Sequence, residues 1–248
     1  MEEIIPWRFI ALSDSASLFV PSWQPARLMH FIMETSARVQ PRVCYVGAAK
    51  GDDPKRISEF YYLASRIGFV PQVLSFFELD DGNPDSFFAE ADIIYIDGGS
   101  TRNLLAILRE WGADAALVKA YNGGIPVVGA SAGASIMFEW CLTDSIRTDI
   151  RPHPGLGIIP GTVCAHYGAR PERQSAFFEF ASGYRARFPA WAIEDGVALE
   201  FENEKMVRGV TVNEAAGALR MDERTGILSH IRAVCLNPML DLPGGTGT

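Results

Sequence analysis

The chain has 248 residues, 48% of them hydrophobic and 21% charged, which suits one large domain or two small ones and excludes disordered, collagenous and coiled-coil classes. Lys and Arg total 22 against 30 Asp and Glu, a net charge of −8 whose field repels polyanions and argues against a nucleic-acid binder that works by phosphate neutralisation. No apolar run approaches the ~18 residues of a spanning helix, and Glu2 and Glu3 stand where a signal peptide wants basic residues, so a cytoplasmic protein without a membrane partner is expected.

Short apolar runs alternate with longer amphipathic ones, the pattern of βαβ units around a mostly parallel sheet. A helix carrying His30 precedes the strand Arg42 to Gly47. Next come a helix from Pro54 to Gly68, with apolar residues at helical spacing, and a strand from Val70 to Phe76. The strand Asp92 to Ile96 stops near Gly98-Gly99, and helices follow over Asn103 to Trp111 and Ala113 to Tyr121. The strand Ile125 to Gly129 runs into Ala130-Ser131-Ala132-Gly133-Ala134, where the chain must turn sharply into a helix reaching Phe138. A Pro/Gly-rich loop, Arg151 to Pro160, leads to a strand over Thr162 to Ala165 and a helix over Pro171 to Ser182. Short strands are expected at Trp191 to Ile193, Val197 to Phe201, Met206 to Val210 and Ile227 to Cys235, with Asp195-Gly196 as a tight turn. The reading is one α/β domain over residues 1–241, a mostly parallel central sheet flanked by helices, and a flexible tail over 242–248.

Cys44, Cys141, Cys164 and Cys235 form no CxxC pair and sit among apolar residues, so they read as small buried hydrophobes. No metal or other cofactor is expected.

Gly129-Ala130-Ser131-Ala132-Gly133 matches G-x-S-x-G, in which small neighbours permit a strained strand-to-helix turn that exposes the serine oxygen. The following helix start offers backbone N–H groups and positive dipole where an oxyanion would form. A serine hydroxyl needs a base, and the histidines are His30, His153, His166 and His230. His30 reads as structural, His153 lies in a proline-bracketed loop, and His230 alternates with apolar neighbours in a late strand. His166 ends a strand, at the edge of an open α/β sheet where catalytic groups gather.

Ile96-Asp97-Gly98-Gly99-Ser100-Thr101-Arg102-Asn103-Leu104-Leu105, then Val128 to Ala134, then the histidine strand, together resemble the dipeptidase E family of serine peptidases, which includes aspartyl dipeptidase and cyanophycinase. The similarity spans roughly Phe9 to Val210, with the three blocks in the family's order. The resemblance implies a fold similar to class I glutamine amidotransferase domains, with the nucleophile elbow at its centre. It makes Ser131 the nucleophile, His166 the general base and Asp195 the acid that orients the imidazole, with Glu194 as competitor. Backbone N–H groups of Gly99 and Ala132 become the oxyanion hole. Arg173, Arg170, Gly98 and Thr101 become the substrate-binding residues.

Two positions depart from the family. Asp97 stands where a third glycine is frequent, and Ser100 where asparagine is. The acid is aspartate where the dipeptidase itself has glutamate, so the backbone must approach His166 more closely.

The implied activity is a serine exopeptidase acting on short peptides, of aspartyl-dipeptidase type. An arginine at the start of the helix after His166 would hold the substrate carboxylate in bidentate fashion. Given the net charge of −8, this needs a local positive patch, expected at Arg170 and Arg173. One alternative is an α/β-hydrolase esterase using Ser131 and His230; another is a non-catalytic member of the same fold. Glutamine amidotransferase chemistry is disfavoured because the elbow has no cysteine. A small peptide is the expected partner, and the sequence leaves a homodimer open.

Overall fold

Buried β-branched and aromatic runs separated by capped amphipathic helices make a parallel sheet the favoured solution, because each crossover helix covers one sheet face. The computed structural model describes residues 6–24, 26–78, 83–145, 149–183, 187–222 and 228–236. In chain order the elements begin with β1 (Arg8–Leu12), α1 (Arg27–Met33), β2 (Arg42–Val46), the 3₁₀ turn Ala48–Lys50, α2 (Pro54–Ile67), β3 (Val70–Leu74), α3 (Pro84–Ala89) and β4 (Ile93–Ile96). They continue with α4 (Thr101–Glu110), α5 (Ala113–Asn122), β5 (Val127–Ala130), α6 (Ala132–Ser135), β6 (Phe138–Thr143), β7 (Arg151–Pro154), β8 (Ile159–Cys164) and α7 (Pro171–Ala181). The last part is all strand: β9 (Ala190–Ile193), β10 (Val197–Glu202), β11 (Lys205–Thr211), β12 (Ala218–Met221), β13 (Leu228–Ile231) and β14 (Ala233–Cys235).

The main sheet has eight strands in the order β14-β11-β10-β1-β5-β4-β2-β3. β1, β5, β4, β2 and β3 run parallel, while β10 and β11 add antiparallel at one side. A second, six-stranded sheet, β13-β12-β9-β8-β6-β7, lies beyond it. Its centre, β9-β8-β6, is also parallel. The sequence pattern predicts one central sheet. The second arises because the elbow helix α6 is only four residues long, and the apolar run after it, Phe138–Thr143, continues as β6 instead of as helix.

Alternation along the strands decides the layers. Phe9 and Ala11 of β1 face a core shared with Phe138, Val163, Trp191 and Phe201 from both sheets and with α4 and α5. Ile10 and Leu12 face the opposite core, under α1 and α2. A third cluster packs α7 on the outer face of the second sheet through Cys164, Phe177, Ala190 and Met221. Phe201 sits edge-on to Phe138 and Trp191, with centroids at 5.6 and 5.5 Å, tying the two sheets together. Each fully buried side chain of this size contributes about 1.5–3 kcal/mol of burial free energy.

Local signals set the ends of the helices. Asp53 caps α2 by accepting from the Lys55 N–H at 3.1 Å, Pro54 follows, and Gly68 ends the helix at φ 92°. Ser100 caps α4, accepting from the Asn103 N–H at 3.2 Å. Cys44, Cys141 and Cys164 are buried, and burial pushes the first two thiols up to about 12 and the third to about 11. Cys235 departs from expectation: it is exposed in β14, the strand at one end of the eight-stranded sheet. No helix among the described residues is long and apolar enough to cross a membrane. The expected tail over 242–248 lies outside the described residues.

Candidate active site

The carboxyl ends of the parallel strands converge on one cavity of about 590 Å³. β1 leads into Asp14 and Ser15 there; the segments after β2, β4 and β5 deliver Lys50, Gly98-Gly99 and Ser131; those after β8 and β9 deliver His166 and Asp195. This is the edge at which open α/β sheets bind ligands.

Ser131 sits between β5 and α6 at φ 52° and ψ −105°, a conformation that a side-chain-bearing residue adopts only under constraint. The constraint is visible. Its N–H donates to the Leu12 carbonyl at 2.9 Å, and Gly133, one residue into α6, lies so close to the Ile96 carbonyl that a Cβ there would collide with it. α6 spans a single turn, so its dipole is small, but Ala132 at its first position keeps a backbone donor that the helix itself does not use.

Ser131 Oγ lies 2.7 Å from His166 Nε2, and His166 Nδ1 lies 2.6 Å from Asp195 Oδ1. His166 is itself at φ 55°. The hydrogen bond from His166 holds the Asp195 carboxyl below the usual carboxylate range, with smaller help from Ser13 and the Arg173 charge and against its partial burial. Ionised Asp195 favours the tautomer with the proton on Nδ1, leaving Nε2 as an acceptor facing Ser131. Glu194 turns away: its Oε2 accepts from the Gly217 N–H at 2.8 Å. Successive side chains at a strand end point to opposite faces, which is why neighbouring acids have separate partners.

Ser13 and Asp14, which the sequence reading did not pick out, support this chain of hydrogen bonds. Ser13 Oγ is within 3.0 Å of Asp195 Oδ1 and 2.9 Å of the Ile193 carbonyl, and it accepts from the His166 N–H at 2.7 Å. Asp14 accepts from the Gly196 N–H at 2.7 Å and so holds the turn carrying Asp195.

Gly99 lines the cavity at φ 147°, packed so closely against the Ala49 carbonyl that no side chain fits. Gly98 also lines it, but its N–H donates to Asp97 Oδ1 at 2.7 Å. Asp97 is fully buried and accepts from the hydroxyls of Tyr45 and Tyr95 at 3.0 and 2.9 Å. At Ser100, the other departure from the family pattern, the hydroxyl caps α4. Thr101 is buried, and its hydroxyl accepts from Thr143 at 3.1 Å; it is not among the residues that line the cavity.

Arg170 and Arg173 both line the cavity and share Asp144. Arg173 is nearly buried and also donates to the Ala165 carbonyl at 3.0 Å. With Lys50 and Arg56 these arginines place four cations around the cavity, beside Asp14, Asp144 and Asp195, a concentration of positive groups on a molecule of net charge −8.

The other histidines lie elsewhere. His230 is exposed in β13, paired with Leu219 at the outer edge of the second sheet. His153 lies in β7, at the opposite edge of that sheet, and His30 in α1.

Comparison with known proteins gives a consistent result. The model of peptidase family S51 matches residues 14–209. The chain is 36% identical over 194 residues to the uncharacterized peptidase YgaJ of Bacillus subtilis (strain 168), covering 78% of this chain and 84% of that protein. It is 29% identical over 143 residues to Peptidase E of Streptomyces coelicolor, covering 52% of this chain and 57% of that protein. Among solved structures, a peptidase from an acI-B1 Actinobacterium superposes with a TM-score of 0.67 at 16% identity, over 91% of this chain and 94% of that one. A putative peptidase E from Listeria monocytogenes EGD-e gives 0.63 at 15% identity, over 84% and 100%. At these identities the structural likeness is one of fold.

Proposed function

From the premise that the chain belongs to peptidase family S51 and is a serine-type peptidase, we propose that it is a dipeptidase that removes an N-terminal aspartate, using Ser131, His166 and Asp195. The observation that carries the mechanism is the unbroken hydrogen-bond chain from Ser131 Oγ through the imidazole to Asp195 Oδ1, at 2.7 and 2.6 Å. His166 Nε2 takes the hydroxyl proton as Ser131 attacks the peptide carbonyl, and Asp195 stabilises the imidazolium without itself being protonated. The oxygen that becomes negative is met by the N–H groups of Ala132 and Gly99, fixed in place before the charge develops. His166 then protonates the departing amine, and water attacks the acyl-enzyme by the same route in reverse.

An N-terminal aspartate brings a carboxylate and an ammonium group within a few bonds of each other. Arg170, Arg173 and Asp144 present the complementary set at the cavity wall. Arg173 has five N–H donors; the bonds to Ala165 and Asp144 leave the remainder for a substrate carboxylate.

A panel of Asp-X and Ala-X dipeptides, with free and acetylated N-termini, tests the assignment. The wild type should cleave only free N-termini and prefer Asp-X, and Arg173→Ala should lower that preference about tenfold or more, a charged hydrogen bond's worth. An unchanged preference in Arg173→Ala would remove the aspartate specificity. Hydrolysis of simple esters alone would remove the peptidase mechanism.

A further inference from the structure

The cavity has a second pair of cations, Lys50 and Arg56, that the reaction above leaves without a task. Lys50 ends the short 3₁₀ turn after β2, and Ala49, its neighbour, accepts from the Ser100 N–H at 2.9 Å, fastening this turn to the Gly98-Gly99 loop. The Lys50 stem passes directly over Gly99: its Cγ is 2.9 Å from the point a Gly99 Cβ would occupy. Behind the loop, Asp97 Oδ2 is 3.3 Å from Arg56 Nε and 3.9 Å from Lys50 Nζ. Arg56 is held on its remaining sides, by Glu59 at 3.1 Å and by the Phe19 ring at 4.2 Å from its centroid. Lys50 is not held. Its side chain is one-third exposed, lines the cavity and makes no hydrogen bond to the described residues.

A buried carboxylate thus keeps two cations together beside the oxyanion loop, and one of them retains its donors for a ligand. We propose that Lys50, supported by Arg56 and Asp97, binds the C-terminal carboxylate of the dipeptide substrate. The inference rests on the reading of Ser131 as a peptidase nucleophile. When the scissile carbonyl oxygen lies against Gly99, the carboxylate of a dipeptide is one residue further along, about 3.3–3.6 Å of chain. A lysine stem running over Gly99 spans that distance. Lysine suits the task, since its ammonium is a compact charge on a flexible stem that adapts to different X side chains. The anchor would measure substrate length: a tripeptide puts an amide where the carboxylate belongs.

The test compares kcat/KM for Asp-Leu with that for its C-terminal amide, in the wild type, Lys50→Gln and Lys50→Arg. The wild type should favour the free acid about tenfold or more. Lys50→Gln should bring the two substrates to within about twofold, acting through KM, and Lys50→Arg should keep the preference. A wild type indifferent to amidation, or a Lys50→Gln enzyme that keeps the full preference, would overturn the anchor while leaving the aspartate reading intact, because that reading is measured separately by the Asp-X over Ala-X ratio in Arg173→Ala. Failure of the wild type to cleave either substrate would overturn both.

Discussion

Ser13 shows how much of a site depends on a residue that takes no chemical part in it. Its fully buried hydroxyl lies between the His166 backbone and the Asp195 carboxylate, fixing the separation of two side chains that come from different strands. Ser13→Ala leaves the His166 N–H without its acceptor, so it should cost about 1–3 kcal/mol of stability in urea unfolding. The same change should lower kcat more than it raises KM, because it loosens the geometry of the base without touching substrate. Nothing in Ser13-Asp14-Ser15-Ala16-Ser17 marks it in sequence; it reads as a polar loop. The sequence also left Asp195 and Glu194 in competition, since adjacent acids before a glycine look alike until the strand register assigns each a side. Ser131 and His166 were legible because each depends on strictly local features: small residues around a strand-to-helix turn, and a histidine ending an apolar strand.

At the scale of elements, the elbow is a packing arrangement before it is a catalytic one. β5, α6 and β4 approach so closely that Gly133 touches the Ile96 backbone, and this proximity forces Ser131 out of the chain. Gly133→Ala must push α6 off β4; overpacking of this kind costs about 1–3 kcal/mol, and here backbone meets backbone, so the upper end is expected. The variant should show a lowered urea midpoint and a loss of hydrolysis out of proportion to its stability. The neighbouring elements explain where the sequence pattern misled. Ile136-Met137-Phe138 is a short apolar run, for which periodicity alone does not distinguish helix from buried strand, and the structure makes β6 of its end. Arg151–Pro154 looked like loop because of its prolines, yet an edge strand tolerates them, and β7 is one. The run expected from Ile227 to Cys235 is divided between β13 and β14, which belong to different sheets; Ile227 itself lies outside the described residues.

Over the whole molecule, the two sheets share one hydrophobic cluster, and the candidate triad draws Ser131 from the end of one sheet and His166 and Asp195 from the other. We therefore expect a single cooperative unit. Trp191, 4% exposed and packed on Phe201 between the sheets, reports on their contact. Its fluorescence, read in a variant with the other four tryptophans replaced by Phe, and the far-UV circular dichroism should follow one coincident urea transition; two separated transitions would mean that the sheets unfold independently. The same scale resolves the charge. A net −8 molecule attracts an acidic substrate only through a local field, and Lys50, Arg56, Arg170 and Arg173 around the cavity supply one.

In the proposed mechanism Ser131, activated by His166, is the nucleophile. Treating folded wild type, Ser131→Ala and His166→Ala with a fluorophosphonate, and measuring Asp-X hydrolysis on the same samples, tests it most directly. The wild type should carry one adduct, on Ser131, and Ser131→Ala none; labelling should be strongly slowed in His166→Ala, and both variants should lose about 10³-fold or more of hydrolysis. An adduct elsewhere, or hydrolysis that persists in folded Ser131→Ala, would contradict it.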